Sequence, residues 1–362
     1  MNRRLVTAAM VVCSVGLSAM GQTASQATAA PAPKFHAGTF TNPLLEHGPD
    51  PWVIEADGWY YYMNSTGENL TIWKTRDLTD LRDAQKTVVW TPPEGTRWSK
   101  DLWAPELHRF DSKWYLYFAA DGGRNEGHRI YVLENAASDP TTGTWELKGK
   151  VGDATDKWAI DATAFRNDGP GGDGKLYMLW SGWEGDVDGQ QNIYIARLRN
   201  PWTVDGPRVM VSHPQYPWEM VGDLPGRHVN VNEGPEILLH DGKVFLIYSA
   251  SGCWTDRYEL GEAEASASAN LMDARSWTKL DHPVFFEAPE RSVYGPGHNG
   301  FFKSPDGTQD WIIYHANPGT HDGCGNLRSP RMQPFTWNGD GSPKFGMPVA
   351  PGTELPKPSG TK

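Results

Sequence analysis

Three acidic residues, Asp50, Asp161 and Glu233, each stand where a short apolar segment of the chain begins. A carboxyl group at the mouth of a strand can reach a substrate, although the same pattern also fits a hairpin entry without chemistry. When several such groups converge, like charges raise one another's pKa, so that one group stays protonated while another is ionised. Glycoside hydrolysis needs this division, because an acid protonates the leaving oxygen while a base activates water.

The elements that must position these acids recur along the chain. An apolar strand, an Asp-Gly turn and a second apolar strand follow Glu233, and similar units open at Asp50, Glu106, Asp161 and His298. Each unit holds three or four short strands, and no helical periodicity is sustained. Repeats of this kind predict an all-β fold, a five-bladed β-propeller in which the five openings meet at one end of a central channel. The alternative is a propeller whose acids only cap strands or bind a metal.

The termini differ in composition from the repeats. Residues 1–30 combine two arginines, an apolar run and a small-residue cleavage site, which predicts a signal peptide and therefore secretion. A leader is predicted over 31–41 and the propeller over 42–347. The tail over 348–362 is rich in Pro, Gly and Ser and is expected to fray.

Composition excludes several classes of function. The chain has 362 residues and a formal net charge of −11, so nucleic acid and anionic membranes are poor partners. Its 17 Trp and 13 Tyr suit the faces of sugar rings, although most of them are expected in the core. No glycine pattern of a dinucleotide site or a P-loop opens a helix, so we expect no organic cofactor. We expect a monomer. Cys253 and Cys324 either form a disulfide in an oxidising compartment or stay as separate thiols.

The openings of the five units, taken in order, resemble those of glycoside hydrolase family 43. The resemblance runs from about residue 42 to 347 and implies a five-bladed β-propeller that cleaves arabinose- or xylose-containing polymers with inversion. The motifs that carry it are Gly48-Pro49-Asp50-Pro51-Trp52, Trp103-Ala104-Pro105-Glu106, Ile160-Asp161-Ala162-Thr163, Glu233-Gly234-Pro235-Glu236 and Gly295-Pro296-Gly297-His298.

The resemblance also implies roles for the three acids. Asp50 would be the general base that activates water, and Glu233 would be the general acid. Asp161 would orient the acid and tune its pKa. The chain departs from the family at Ala162, where the family often has proline after the aspartate. Because the carboxyl group is retained, we expect the role of Asp161 to be retained, and a different loop path would weaken this assignment most.

His298 matches the family's central histidine, which resembles a direct or indirect partner of a cation in the channel. One imidazole with carbonyl oxygens does not make a zinc site, so the cation would be Ca²⁺ or Na⁺ with a mostly water shell. Its role would be structural or electrostatic. A hydrogen-bonded core histidine is the alternative.

Six further residues are predicted to contact the sugar, each with a structural alternative. Aromatic side chains beside the openings can stack on sugar rings or pack in the core. The family commonly sends an arginine of the last unit into the pocket, where its guanidinium could hold the acids or sugar hydroxyls; the alternative is a surface arginine. An acid of the second unit could bind the sugar or cap an inner strand. The six are Trp52, Trp103, Trp183, Glu106, His228 and Arg331.

The last unit indicates the substrate. Its phrase Gln333-Pro334-Phe335-Thr336-Trp337-Asn338 resembles arabinofuranosidase branches of the family, and the short remainder after Gly346 leaves no room for the β-sandwich of many β-xylosidases. We therefore expect an exo-acting α-L-arabinofuranosidase that releases L-arabinose from arabinan or another arabinose-containing plant polysaccharide. Endo-arabinanase, β-xylosidase and galactan-directed activities are alternatives within the family.

Two alternatives come from other classes of protein. A non-catalytic sugar-binding propeller would keep the aromatic residues and lose the acids, whereas all three acids are present. A scaffold for protein partners is disfavoured by the predicted export and by the convergent acids.

Overall fold

The structure is a computed structural model that describes residues 38–362. The predicted signal peptide over 1–30 and residues 31–37 of the predicted leader lie outside the described residues. Within the described part, no helix is both long and apolar enough to span a bilayer. The helices described there are short 3-10 segments: Leu78–Asp83, Asn125–Gly127, Pro217–Glu219, Ala274–Ser276 and Pro289–Arg291.

Each repeat of the sequence forms an antiparallel sheet, here called blades 1 to 5. Strand β1 (Thr39–Thr41) precedes them. Blade 1 contains β2 (Trp52–Ala56), β3 (Trp59–Met63), β4 (Leu70–Thr75) and β5 (Gln85–Trp90). Blade 2 contains β6 (Lys100–Phe110), β7 (Lys113–Asp121), β8 (Arg129–Asn135) and β9 (Glu146–Val151). Blade 3 contains β10 (Ala159–Arg166), β11 (Leu176–Gly182) and β12 (Gln190–Asn200), with β13 (Thr203–Val204) and β14 (Val209–Ser212) both paired to β12.

The remaining strands complete the ring. A separate hairpin contains β15 (Asp223–Leu224) and β16 (Arg227–His228). Blade 4 contains β17 (Asn230–His240), β18 (Lys243–Ala250), β19 (Glu259–Ser266) and β20 (Thr278–Lys279). Blade 5 contains β21 (Tyr294–Lys303), β22 (Asp310–Asn317), β23 (Ser329–Trp337) and β24 (Pro343–Lys344), and β25 (Glu354–Pro356) follows. The predicted all-β, five-bladed β-propeller is confirmed.

The second strand of each blade is buried on both faces, which explains its continuous apolar sequence. In β7, Leu116 and Phe118 pack in a cluster with blade 1, whereas Tyr115 and Tyr117 pack in a cluster with blade 3. Side chains alternate along a strand, so one strand supplies two interblade clusters. Each fully buried side chain of this size contributes roughly 1.5–3 kcal/mol to stability. The interblade clusters therefore hold the inner strands rigidly around the channel.

The two ends of the described chain close the ring. Strand β1 pairs with β25, and the Asn42 side chain exchanges hydrogen bonds of 2.8 and 2.9 Å with the backbone of Met332 in blade 5. The Lys357 ammonium lies 2.7 Å from the Asp77 carboxylate. The expectation that the tail over 348–362 frays is therefore wrong, because its polar groups find partners in blades 1 and 5. Strand β1 also lies ahead of the predicted boundary at residue 42.

Candidate active site

Each innermost strand bends sharply at an equivalent position. The residue there has a positive φ in all five blades: Asp50 (57°), Ala104 (43°), Asp161 (55°), Gly234 (53°) and His298 (48°). This conformation costs an L-residue roughly 1–2 kcal/mol, which the packed surroundings must offset. In blades 2 to 5 the register between the first two strands shifts at this point, as in a β-bulge. Bulges redirect side chains. The side chains that reach the mouth of the channel are those at the strained position, Asp50, Asp161 and His298, or directly before it, Trp103 and Glu233.

A cavity of about 460 Å³ lies at this mouth. The predicted catalytic residues Asp50, Asp161 and Glu233 all line it, together with His298 and Trp103. The fold thus brings together residues from all five blades that are far apart in sequence. Their catalytic roles remain predictions, whereas their convergence is a property of the structure.

Asp50 has a permanent cation beside its carboxylate. The Arg328 Nη1 group donates a 2.7 Å hydrogen bond to Oδ1, and the Ser65 hydroxyl donates a 2.5 Å bond to Oδ2. His298 and His315 each place Nδ1 3.5 Å from Oδ1. Burial opposes ionisation, but Arg328 and these neighbours together hold the pKa of Asp50 well below its usual range. A carboxylate that stays ionised can accept a proton from water.

The two histidines beside Asp50 are held neutral, so Arg328 carries the electrostatic effect. Burial lowers the pKa of His298 below its ordinary value and that of His315 well below it. The Asp50 backbone N–H donates a 3.0 Å hydrogen bond to His315 Nδ1, which requires an unprotonated nitrogen there.

Glu233 has the opposite environment. Its Oε1 accepts a 2.8 Å hydrogen bond from the Tyr258 hydroxyl. Burial raises the pKa of Glu233 to about 7; the Tyr258 bond lowers it, and the charge on Asp50 raises it. This carboxyl group can therefore carry a proton near neutral pH and give it to a leaving oxygen.

Asp161 is influenced by the charges of both Glu233 and Asp50. Its Oδ2 accepts a 3.0 Å hydrogen bond from the Gly234 N–H, which joins blade 3 to the residue after Glu233. Burial raises the pKa of Asp161 well above its ordinary value, and the Glu233 and Asp50 charges add to the effect. Because Asp161 and Glu233 interact, their protons titrate as a pair. Through the Gly234 N–H, Asp161 is placed to orient the acid.

The surroundings of His298 can be tested for the predicted cation. Asp161, Glu233 and His298 place ligand atoms within 4.8 Å of one another. Oxygen donors suit Ca²⁺ or Na⁺. The donor set therefore fits a hydrated cation beside His298, but it does not fit one that contacts Glu233 directly, because such a charge would remove the proton that an acid needs. A cation bound there would supply fixed positive charge to the cavity.

Two residues predicted to bind the sugar lie one layer deeper in the channel. Glu106 and Trp52 each come two residues after the strained position of their blade. Neither lines the cavity. The Glu106 carboxyl group bonds His108 Nε2 at 2.8 Å, and the Trp52 indole donates a 3.0 Å bond to the Leu107 carbonyl. Both side chains are thus engaged outside the cavity lining, and their contact with the sugar stays a prediction.

Of the aromatic and histidine residues predicted to contact the sugar, Trp103 lines the cavity, whereas Trp183 and His228 do not. Trp103 lines the cavity and stacks on His128 at 4.0 Å. Trp183 is buried and stacks at 4.8 Å behind Trp158, which lines the cavity in its place. His228 is exposed in β16 and does not line the cavity, whereas its chain neighbours Arg227 and Val229 do. The structure thus places Trp183 one ring behind the cavity wall and His228 beside two residues of the lining, and their contact with the sugar stays a prediction.

The arginine that reaches the pocket is Arg328, not Arg331. Arg331 is fully buried within β23 and its Nε donates a 3.4 Å hydrogen bond to Ser329 Oγ. Arg328 stands just before β23, at the cavity end of the strand, and lines the cavity. The sequence signal was the position of each residue relative to the strand, since functional residues stand at strand ends and interior residues pack.

The cysteines, left open by the sequence, form a disulfide in the structure, with a Cα–Cα distance of 5.2 Å. Cys253 follows β18 in blade 4, and Cys324 follows β22 in blade 5. Both line the cavity beside Trp254. Four residues that line the cavity or contact its acids could not be recognised from the sequence, because no motif or spacing marks them: Ser65, Trp158, Trp254 and Tyr258.

Comparison with known proteins identifies relatives over most of the chain. The family model described as glycosyl hydrolases family 43 matches residues 40–343. An extracellular exo-alpha-(1->5)-L-arabinofuranosidase of Streptomyces avermitilis is 39% identical over 96% of this chain and 70% of its own length. A protein of the same description from Streptomyces chartreusis is 39% identical over 80% of this chain and 85% of its own. Alpha-L-arabinofuranosidase 43 of Humicola insolens is 36% identical, with 90% and 66% covered.

A solved structure agrees with these relatives. The crystal structure of an alpha-L-arabinofuranosidase from Lactobacillus brevis superposes with a TM-score of 0.79 at 36% identity, covering 87% of this chain and 98% of that one. An arabinan endo-1,5-alpha-L-arabinosidase A of Aspergillus aculeatus is more distant, at 24% identity over 74% of this chain and 81% of its own length.

Proposed function

The chain belongs to glycosyl hydrolases family 43, and from this premise we propose that it is an exo-acting α-L-arabinofuranosidase. It removes L-arabinose from the ends of arabinan or of arabinose-bearing side chains of plant polysaccharide, with inversion at the anomeric carbon. The observation that carries the proposal is the single cavity in which Asp50 is held ionised while Glu233 is held protonated.

The chemistry follows from these two protonation states. Glu233 gives its proton to the glycosidic oxygen as the bond to the anomeric carbon breaks. Asp50 accepts a proton from a water molecule, and the oxygen of that water forms the new bond to the anomeric carbon from the opposite face. Asp161 holds the acid in place through the Gly234 N–H, and burial with the charge of Asp50 keeps the pKa of Glu233 high. Trp103 and Trp158 offer ring faces to the sugar.

Exo action is supported by the wall of the cavity and by the relatives. The disulfide, Trp254 and the ion pair between Arg227 and Asp188 line one cavity with the acids. A wall tied covalently across blades 4 and 5 favours a pocket that admits a chain end over an open groove. The Streptomyces and Humicola relatives, at 36–39% identity, are named as arabinofuranosidases, and the names of the two Streptomyces proteins include the words exo and extracellular.

The extracellular relatives also support export of this chain, with residues 1–30 as its signal. A secreted protein meets an oxidising environment, which suits the disulfide. We keep the monomer and a hydrated Ca²⁺ or Na⁺ beside His298 as parts of the same proposal.

Product analysis tests the proposal. The purified protein is incubated with linear α-1,5-arabinan, arabinoxylan and xylo-oligosaccharides, and products are separated by anion-exchange chromatography. Free arabinose as the first product supports exo action, whereas short arabino-oligomers mean endo action and xylose means β-xylosidase activity. Proton NMR at early times should show the β-anomer first, because inversion at an α-linkage produces it.

A matched pair of variants tests the acid. Glu233→Gln should abolish release of arabinose. Glu290→Gln makes the same change at an exposed acid in the short helix Pro289–Arg291 before blade 5, and it should leave the release unchanged. Hydrolysis at the wild-type rate by Glu233→Gln would remove Glu233 from the acid role. Sugar binding by a protein that hydrolyses none of the substrates would indicate a non-catalytic propeller.

A further inference from the structure

A second cavity of about 520 Å³ opens on blade 2. We call it the basic cavity. Its principal side chains are four cations and two aromatic rings: Arg97, Arg124, Arg129, Lys150, Trp98 and Tyr131. Gly149, which also lines it, has φ of 113° and open space where a Cβ would stand, so no side chain fills the floor.

The aromatic rings form a fixed surface in the basic cavity. Trp98 and Tyr131 lie with ring centroids 5.5 Å apart at 51°. Both pack against the core between blades 1 and 2, which holds them in place. The Trp98 indole N–H is buried and has no hydrogen-bond partner within the described residues. Trp98 is partly exposed and offers part of its ring to the cavity, whereas Tyr131 is buried and supports the Trp98 ring from behind. A fixed apolar ring of this kind suits one face of a pyranose.

The cations of the basic cavity exceed its acids. Asp156 pairs with both Arg129 at 2.8 Å and Lys150 at 2.7 Å, so one carboxylate serves two cations. Arg124 has an exposed partner at 3.7 Å, Glu126, and the described residues place no acid within 4.0 Å of Arg97. In a chain of net charge −11, this local excess attracts an anion that the rest of the surface repels.

The basic cavity adjoins the cavity that holds the acids. Arg124 and Gly127 line the basic cavity, whereas Asn125, between them in sequence, lines the other. The short helix Asn125–Gly127 is thus a wall shared by both. A polymer whose end enters one cavity can therefore place a later part of its chain in the other.

We propose that the basic cavity binds a uronic-acid-containing stretch of polysaccharide, the acidic part of the glycan whose arabinose ends enter the catalytic cavity. Guanidinium groups bind sugar carboxylates in paired hydrogen bonds, and the partly exposed Trp98 ring receives a sugar face. This inference depends on the proposed function in one respect, which is the identification of the adjoining cavity as the catalytic one. It assigns to this chain a preference for arabinan that is attached to an acidic backbone.

Binding is measured separately from hydrolysis. Galacturonic acid oligomers are titrated by calorimetry into Glu233→Gln protein at low salt, and the same oligomers with methyl-esterified carboxyls serve as the neutral probe. The acidic oligomers should bind at least about tenfold more tightly, which is the factor expected for one charge-assisted contact. Equal affinity for both probes, or no affinity for either, would overturn the proposal.

Two double variants locate the binding. Arg97→Ala/Arg124→Ala should weaken binding of the acidic oligomers by about tenfold or more. Arg199→Ala/Arg275→Ala makes the same charge change on exposed arginines outside both cavities, and it should leave the affinity unchanged. An equal loss in both variants, or equally tight binding of DNA or heparin by the wild type, would mean general attraction of anions and would reject the site.

A ratio of rates separates this proposal from the proposed function. The value of kcat/KM for arabinan attached to a uronic acid backbone is divided by that for arabinotriose. The ratio should fall about tenfold in Arg97→Ala/Arg124→Ala and stay constant in Arg199→Ala/Arg275→Ala. Absence of arabinose release by the wild type from either substrate would reject the proposed function, and binding of acidic oligomers would still support the basic cavity.

Discussion

The two sides of the catalytic cavity hold their carboxyl groups in opposite protonation states. On the side of blades 1 and 5, Asp50 is 8% exposed and contacts the Arg328 guanidinium. On the side of blades 3 and 4, Glu233 is 7% exposed and accepts a hydrogen bond from the neutral Tyr258 hydroxyl. The pKa of Asp50 is lowered and that of Glu233 is raised to about 7.

Because the two groups are almost equally buried, burial does not explain the difference. Desolvation raises the pKa of both carboxyls. A fixed cation reverses its effect at Asp50, whereas a hydroxyl only moderates it at Glu233. Arg328 is the largest contribution that lowers the pKa of Asp50, whereas at Glu233 it ranks below the Tyr258 hydrogen bond and the opposing charge of Asp50. Substitutions on each side of the cavity test this difference, from the largest expected effect to the smallest.

Replacement of either carboxyl group should be the most damaging change. Asp50→Asn and Glu233→Gln should each lower kcat on arabinan by about 10³-fold or more, because each removes a proton transfer. The two variants should differ on a dinitrophenyl arabinofuranoside, whose leaving group needs no proton. Glu233→Gln should recover most of its rate on this substrate, and Asp50→Asn should not.

Thermal unfolding by circular dichroism is the control for both variants, since a folded protein is required for the comparison. Recovery of Asp50→Asn and failure of Glu233→Gln on the activated substrate would reverse the roles assigned here.

Removal of the Arg328 charge should make the electrostatic environment of Asp50 resemble that of Glu233. In Arg328→Ala the pKa of Asp50 should rise, because desolvation is then unopposed. The acidic limb of the pH–kcat/KM profile should move to higher pH, and kcat/KM at neutral pH should fall by about 10–100-fold. Arg328→Lys should recover part of the loss. An unchanged acidic limb in Arg328→Ala would show that the arginine does not control Asp50.

The disulfide should matter to the base side more than to the acid side. Cys324 is four residues before Arg328, and the Arg328 Nε donates a 3.2 Å hydrogen bond to the Gly325 carbonyl in the same loop. Cys253→Ser/Cys324→Ser should lower stability by about 2–4 kcal/mol. It should also raise KM several-fold and move only the acidic limb of the pH profile.

Urea unfolding measures the stability change, and wild-type protein treated with a reductant is the matched control. A shift of the basic limb in the double variant would mean that the disulfide positions Glu233 as well.

The smallest effect is expected from a substitution beside Glu233. An acid catalyst is active when protonated, so activity should be present below the pKa of Glu233 and lost as pH rises through about 7. Tyr258→Phe removes the hydrogen bond that lowers this pKa, so the basic limb should move to higher pH by up to about one unit. The acidic limb should stay in place. A shift to lower pH would contradict the role of Tyr258.

The local pattern of the chain determined the blades and the position of the three acids. Continuous apolar runs, as in the strand from Lys113 to Asp121, identify strands buried on both faces, and strand ends specify where side chains leave the sheet. Asp50, Asp161 and Glu233 could therefore be placed at the channel mouth from sequence. Trp103, beside an opening, could be placed for the same reason.

Only the tertiary structure decided which neighbours those acids have. Arg328 lines the cavity and Arg331 does not, because β23 begins between them at Ser329. Glu106 lies outside the cavity lining because it comes two residues after the bulge in its strand. The Cys253–Cys324 bond and the contact of Tyr258 with Glu233 join different loops. Strand patterns are set by residues adjacent in sequence, whereas pKa values and contacts are set by distances through space between blades. For this reason the sequence could name the carboxyl groups, and the packing of blade 5 against blade 1, which brings Arg328 to Asp50, decided which one keeps its proton.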